Sequence, residues 1–186
     1  TTYKARRDLT SGNHTIKYEY YENIYGAVAK LSYEKVTPIV SGGIYRLVNQ
    51  CSGKVLDVSG GSTANGANIQ QWGWTGGNNQ RWKIDSVATV NGITYYKLTA
   101  QHSSKVAEVY GNSLLDGGNM DQYAWNGGNN QQWSIFNVGA EYSKLLVRLS
   151  GKAMDNYGAS LNDGGNIDQW GDNGSCAQRW RIESWE

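Results

Sequence analysis

Three acidic residues, Asp57, Glu108 and Asp155, each stand fifteen positions before an aromatic residue, Trp72, Tyr123 or Trp170. Each of those rings lies ten positions before a further tryptophan, Trp82, Trp133 or Trp180. A carboxylate and a ring at fixed offset can act on one ligand, because ionised oxygens accept hydrogen bonds while an indole or phenol face packs on apolar C–H groups. Carboxylates can also work in pairs as general acid and base, the minimum for a glycosidase, and the 16 Asp+Glu offer many pairings. Other chemistries find no footing. There is no Ser/His/Asp set or phosphate loop, and the two Cys and two His show no metal-ligand spacing. His102 falls in register with Cys51 and Leu149, a position without constant chemistry, and His14 has no partner set. No metal and no cofactor are expected.

The elements that must position these residues are legible from a repeat. The triplet Gln-x-Trp recurs as Gln80-Arg81-Trp82, Gln131-Gln132-Trp133 and Gln178-Arg179-Trp180, with periods of 51 and 47 residues. Lys54, Lys105 and Lys152 keep the same register, as do Asn68, Asn119 and Asn166, and Ile69, Met120 and Ile167. Alternation in Ile44-Tyr45-Arg46-Leu47-Val48 and in Trp82-Lys83-Ile84 reads as short strands, and no helical stripe competes. Asn65-Gly66, Asp116-Gly117 and Asp163-Gly164 sit where a hairpin turn needs positive φ. Each unit therefore reads as about four strands around a central hairpin, too small to bury a core alone. Three of them sharing one core predict an all-β chain, a β-trefoil with pseudo-threefold symmetry, over residues 41–186, with repeats at about 42–89, 90–140 and 141–186.

Residues 1–40 fall outside the repeat, and the alternating runs Ile16–Tyr20 and Ala27–Tyr33 predict one N-terminal hairpin, set off by the single proline, Pro38. A net charge of +1 leaves no electrostatic footprint for nucleic acid or anionic membrane. No apolar run approaches the ~20 residues of a membrane-spanning helix. Thr1 onward lacks the basic start and apolar stretch of a signal peptide, so the expectation is a soluble, secreted protein whose export signal is already gone. One Phe against eight Trp and thirteen Tyr is unusual, since Trp and Tyr add a polar handle to a stacking face.

The three copies resemble the ricin-B-type lectin repeat, carbohydrate-binding module family thirteen, with Asn68-Ile69-Gln70-Gln71-Trp72 and Asn79-Gln80-Arg81-Trp82 closest to its pattern. That resemblance implies a β-trefoil with one sugar pocket per repeat. Each pocket is built from an acid in the second strand, a polar residue two before an aromatic platform, the platform, and an Asn beside the Gln of Gln-x-Trp. The first repeat then supplies Asp57, Gln70, Trp72, Asn79 and Gln80, a complete set. The second supplies Glu108, Asp121, Tyr123, Asn130 and Gln131, its longer Glu pushing the carboxylate toward the sugar. The third supplies Asp155, Asp168, Trp170 and Gln178, but Ala177 stands where the Asn is expected. The three Gln of Gln-x-Trp also read as structural amides holding loop backbone, and Trp82, Trp133 and Trp180 as core. Trp74 and Trp125 are either loop packing or extra subsites, and the repeated lysines read as strand-edge charges. More weakly, residues 14–33 resemble the last hairpin of a protective-antigen-like sugar-binding domain, which would make residues 1–40 the tail of a truncated domain.

In a β-trefoil the first strand lies beside the last, which predicts a disulfide between Cys51 and Cys176; the family's more usual bridge lies within one repeat, and two buried free thiols are the alternative. Threefold symmetry holds Asp57, Glu108 and Asp155 much farther apart than the ~5–9.5 Å a glycosidase needs, which argues against catalysis in this chain. The remaining alternative is a protein-binding trefoil of the inhibitor type, which has no reason to keep the repeated acid-to-aromatic set. The expected function is non-catalytic binding of galactose-, arabinose- or xylose-containing polysaccharide, targeting a covalently linked glycoside hydrolase or similar catalytic domain.

Overall fold

A computed structural model describes residues 39–185; the N-terminal hairpin expected within residues 1–40 lies on residues outside that range. Twelve strands are present among the described residues. The first repeat contributes β1 (Gly43–Asn49), β2 (Val55–Val58), β3 (Ala67–Trp72) and β4 (Trp82–Val90). The second contributes β5 (Ile93–Ala100), β6 (Val106–Val109), β7 (Gly118–Tyr123) and β8 (Trp133–Gly139). The third contributes β9 (Tyr142–Val147), β10 (Ala153–Asn156), β11 (Gly165–Trp170) and β12 (Trp180–Ser184).

Pairing closes these strands into two layers. Antiparallel ladders run β1–β4, β4–β5, β5–β8, β8–β9, β9–β12 and β12–β1, a closed six-stranded barrel. The hairpins β2–β3, β6–β7 and β10–β11 pair with one another through β3–β7, β7–β11 and β11–β3, forming a triangular cap. Among the described residues, each of the six barrel strands is paired on both sides, so the barrel itself has no open edge. The chain is a β-trefoil, and the axis of its pseudosymmetry is marked by a ring of amides. Asn68 donates to Asn166 (3.0 Å), Asn166 to Asn119 (2.9 Å) and Asn119 to Asn68 (3.0 Å).

Local sequence explains the layers. Tyr45 and Leu47 of β1 turn inward while Ile44 and Arg46 stay partly exposed, as period-two alternation requires. Trp82, Trp133 and Trp180 are fully buried, and each indole N–H is satisfied by the backbone carbonyl of the same repeat's second strand, Leu56, Ala107 or Met154. The three hairpin glycines, Gly66, Gly117 and Gly164, have φ of 78°, 77° and 80°, conformations open to glycine at no steric cost. Cys51, after β1, and Cys176, before β12, are joined by a disulfide with Cα atoms 5.0 Å apart.

Candidate functional site

The strand register places an acid and a polar residue opposite each other in every repeat. Asp57 of β2 faces Gln70 of β3, Glu108 of β6 faces Asp121 of β7, and Asp155 of β10 faces Asp168 of β11. All six are buried. Two positions farther along each of β3, β7 and β11 the strand ends in the platform residue, and Trp72, Tyr123 and Trp170 are each 40% exposed. Every repeat therefore brings a shielded carboxylate to the foot of an aromatic face held out to solvent.

In the first repeat both oxygens of Asp57 accept amide hydrogen bonds, from Gln70 Nε2 at 3.0 Å and from Asn79 Nδ2 at 2.7 Å; Asn79 also donates to the Val58 carbonyl. Burial raises the Asp57 pKa, and the Gln70 amide is the largest of the contacts opposing it. The second site departs from expectation. Glu108 is buried and its Oε2 accepts from Gln131 Nε2 at 2.6 Å, so the longer side chain is drawn back onto a buried amide rather than pushed outward. Asn130 is buried there and donates to the Val109 carbonyl. In the third site Ala177 contributes no amide, and Asp155, Trp170 and Ala177 instead line a cavity of about 430 Å³ together with Tyr157, Asn173 and Ser175. Burial raises the pKa of Asp155 and of Glu108 as well, offset in part by Gln178 and Gln131 respectively.

Gln80, Gln131 and Gln178 are fully buried. Their amides clamp the loop beyond each platform: Gln80 accepts from Thr75 N and donates to Gly73 O, and the pattern recurs with Asn126 and Ala124, and with Asn173 and Gly171. These amides satisfy the loop carbonyls from below, and Gln131 also donates to the candidate-site acid Glu108 at 2.6 Å. Trp74 packs against Trp185 (5.4 Å between ring centroids) with the Arg46 guanidinium 4.9 Å from its ring, and Lys97 lies over Trp125 at 5.4 Å. The third repeat replaces this cation–ring pair by a Lys144–Asp172 ion pair at the same positions. Trp74 and Trp125 thus each carry a cation against the ring, and Trp125 stays 38% exposed.

Sequence reasoning treated each site as the property of one repeat, yet each is completed by the neighbouring hairpin. Asp163 of the third repeat accepts from Gly73 N (2.8 Å) and pairs with Lys54 (2.7 Å), both in the first repeat. Asp116 does the same for Gly171 N (2.9 Å) and Lys152 (2.6 Å). At the third joint Asn65 accepts from Ala124 N (3.1 Å), and its neutral amide offers Lys105 no carboxylate. The platforms lean on these hairpins: a Cβ added at Gly164 or Gly117 would lie 3.8 Å from the Trp72 ring or 3.9 Å from the Trp170 ring. Tyr157 was also missed. It follows Asp155 by two, as the exposed Tyr110 follows Glu108, whereas the first repeat has Ser59 there. The repeat frame carried that signal.

Among the described residues no group of three or more His, Cys, Asp or Glu is placed to hold a metal. His102 Nε2–H donates to the Ser62 carbonyl, 2.9 Å away, across the joint between two repeats.

Comparison with known proteins converges on one family. The profile described as ricin-type beta-trefoil lectin domain-like matches residues 35–123, 87–170 and 130–186. A designed threefold-symmetric protein, ThreeFoil, is similar at 45% identity and TM-score 0.72 over 77% of this chain and 99% of that one. The exo-beta-1,3-galactanase 1,3Gal43A from Clostridium thermocellum is similar at 38% identity and TM-score 0.74; the match covers 80% of this chain but only 31% of that enzyme. A ricin B-like lectin from Macrolepiota procera, solved with lactose, shares the fold at 21% identity and TM-score 0.63, over 79% of this chain and 99% of that one. No curated protein matches the chain. The triplicate Gln-x-Trp core, the closed barrel with its hairpin cap and the profile matches together show that this chain belongs to the ricin-type β-trefoil lectin family, whose domains bind carbohydrate.

Proposed function

We propose that the trefoil is a non-catalytic module of a secreted protein, holding a covalently linked glycoside hydrolase near galactose-, arabinose- or xylose-containing polysaccharide. The observation that carries this reading is the triple platform: three aromatic rings, each 40% exposed, each above a buried carboxylate at one fixed register. A pyranose has an apolar face of C–H groups and a rim of hydroxyls, so it is matched by a ring that stacks and a carboxylate that accepts from two neighbouring hydroxyls. Shallow single-sugar sites bind weakly, and three on one rigid body gain avidity on a polymer. Galactose units are favoured by the similarity to a module-sized part of a galactanase. The disulfide fits an oxidising, extracellular setting.

Calorimetry and affinity electrophoresis against galactan, arabinan, arabinogalactan and xylan test this directly. The wild type is expected to bind at least one polymer selectively. The variant Trp72→Ala/Tyr123→Ala/Trp170→Ala, whose changes lie at exposed positions, is expected to fold and to lose that binding. A folded triple variant that binds as the wild type does would move recognition away from the platforms, and no binding by the wild type would favour a protein partner.

A further inference from the structure

The three sites share one backbone register but not one protonation chemistry. Where the first repeat has the amide Gln70 opposite Asp57, the second and third have a second carboxyl, Asp121 opposite Glu108 and Asp168 opposite Asp155. Directly opposed residues on neighbouring strands bring their Cβ atoms to about 5 Å, so two ionised carboxylates there repel strongly. Gln70 Nε2 solves this in the first repeat by donating to Asp57 at 3.0 Å. Aspartate can donate in the same place only as the protonated acid.

Burial and orphaned atoms point the same way. Asp121 and Asp168 are each 2% exposed, and in both the Oδ1 atom is buried with no hydrogen-bond partner. An unpaired buried carboxylate oxygen is expensive, and neutralising the group is the usual relief. Among the described residues no cation offsets the charge from the elements packed around Asp168. Asp155 faces it from β10, neutral Asn119 from β7, and in the adjoining turn Asp116 has its own charge matched by Lys152. Asp121 is faced by Glu108 from β6 and by neutral Asn68 from β3. Burial first, and then the opposing carboxylate, push both Asp121 and Asp168 up to about 7, with Asp116 adding to the effect at Asp168.

We propose that Asp121 and Asp168 are protonated positioning residues: each donates its carboxyl proton toward Glu108 or Asp155 and holds that carboxylate in place for a sugar, as the Gln70 amide holds Asp57. This rests on the carbohydrate-binding reading above. Loss of the proton to solvent leaves two buried anions that separate, and the sugar-facing acid moves with them. The second and third sites therefore release sugar as pH rises through neutrality, while the first does not. The module changes from three sites to one, with the avidity lost accordingly.

Two single-site proteins test the proposal, Trp72→Ala/Tyr123→Ala for the third site and Tyr123→Ala/Trp170→Ala for the first. Soluble arabinogalactan is the probe, titrated calorimetrically from pH 5 to pH 8.5. Linkage predicts that affinity at the third site falls about tenfold per pH unit above the carboxyl midpoint, and that the first site stays within about twofold. Asp168→Gln, which copies Gln70, is expected to make the third site independent of pH. In parallel, carboxyl ¹³C NMR of the unliganded wild type is expected to show two aspartates titrating near neutrality. Midpoints near 4 for both Asp121 and Asp168, or parallel pH profiles at the first and third sites, would overturn the proposal. If neither single-site protein nor the wild type binds the probe at any pH, the sugar-release step falls with the reading beneath it, and the NMR midpoints still decide whether the protonated pairs exist.

Discussion

Replacing Asp57 by Asn changes almost no volume and removes one negative charge, which isolates what the carboxylate does. Its two oxygens accept from Gln70 Nε2 at 3.0 Å and Asn79 Nδ2 at 2.7 Å, so the substituted amide must turn an NH₂ toward one of two NH₂ groups. Asn79 retains the Val58 carbonyl, so the strand is not unclamped. The facing donors leave one polar group unsatisfied, a cost of about 1–3 kcal/mol in stability. In the proposed complex the same carboxylate also accepts from sugar hydroxyls, and losing charge-assisted bonds of roughly 1.5–3 kcal/mol weakens binding by about ten- to a hundredfold. The assay is calorimetry with arabinogalactan in the Tyr123→Ala/Trp170→Ala background, where only the first site remains, with urea unfolding of the same proteins for stability. A folded Asp57→Asn protein whose affinity stays within about twofold of its parent would refute the reasoning, because a carboxylate that contacted sugar could not be neutralised so cheaply.

Other predictions follow from the same geometry. Asn119→Ala opens the amide ring on the axis, leaving the Asn68 acceptor and the Asn166 donor without their partner; a loss of about 1–3 kcal/mol is expected from two unsatisfied, partly buried groups, read as a lower urea midpoint at unchanged slope. Cys51→Ser/Cys176→Ser opens a closure spanning 125 residues and should cost up to about 4–5 kcal/mol in denaturant unfolding, according to the chain-entropy account of cross-links. Ala177→Asn restores the amide position held by Asn79 in the first repeat and should narrow the third cavity, which is checked by comparing monosaccharide and polymer affinities of the third-site protein with and without the change.

Much of the fold was legible because its determinants are local and recur three times. Alternation in β1 and β4 set the strand faces, and Gly66, Gly117 and Gly164 announced the hairpins through a conformation few other residues adopt. The fixed step from carboxylate to platform was legible from spacing and Gln70 from the family resemblance, while the register that sets Asp57 opposite Gln70 came from the strand pairing. The burial of Gln80 was not legible because an amide beside a core tryptophan can face either way, and packing turns this one inward. Trp74 was ambiguous for a similar reason: its partners are Arg46 of the first strand and Trp185, just past the last.

What the sequence by itself determined, then, was the unit: four strands, one hairpin, one acid and one ring, repeated three times in register. What only the tertiary structure decided was how units complete one another. Lys54 with Asp163, Gly73 with Asp163, and the Asn68–Asn119–Asn166 ring all join different repeats, and no local pattern marks contacts between residues 47 to 109 positions apart. The physical reason is the axis: a closed barrel must turn the third repeat's hairpin against the first repeat's platform, so side chains that look like solvated charges in one unit become the wall of a site in the next.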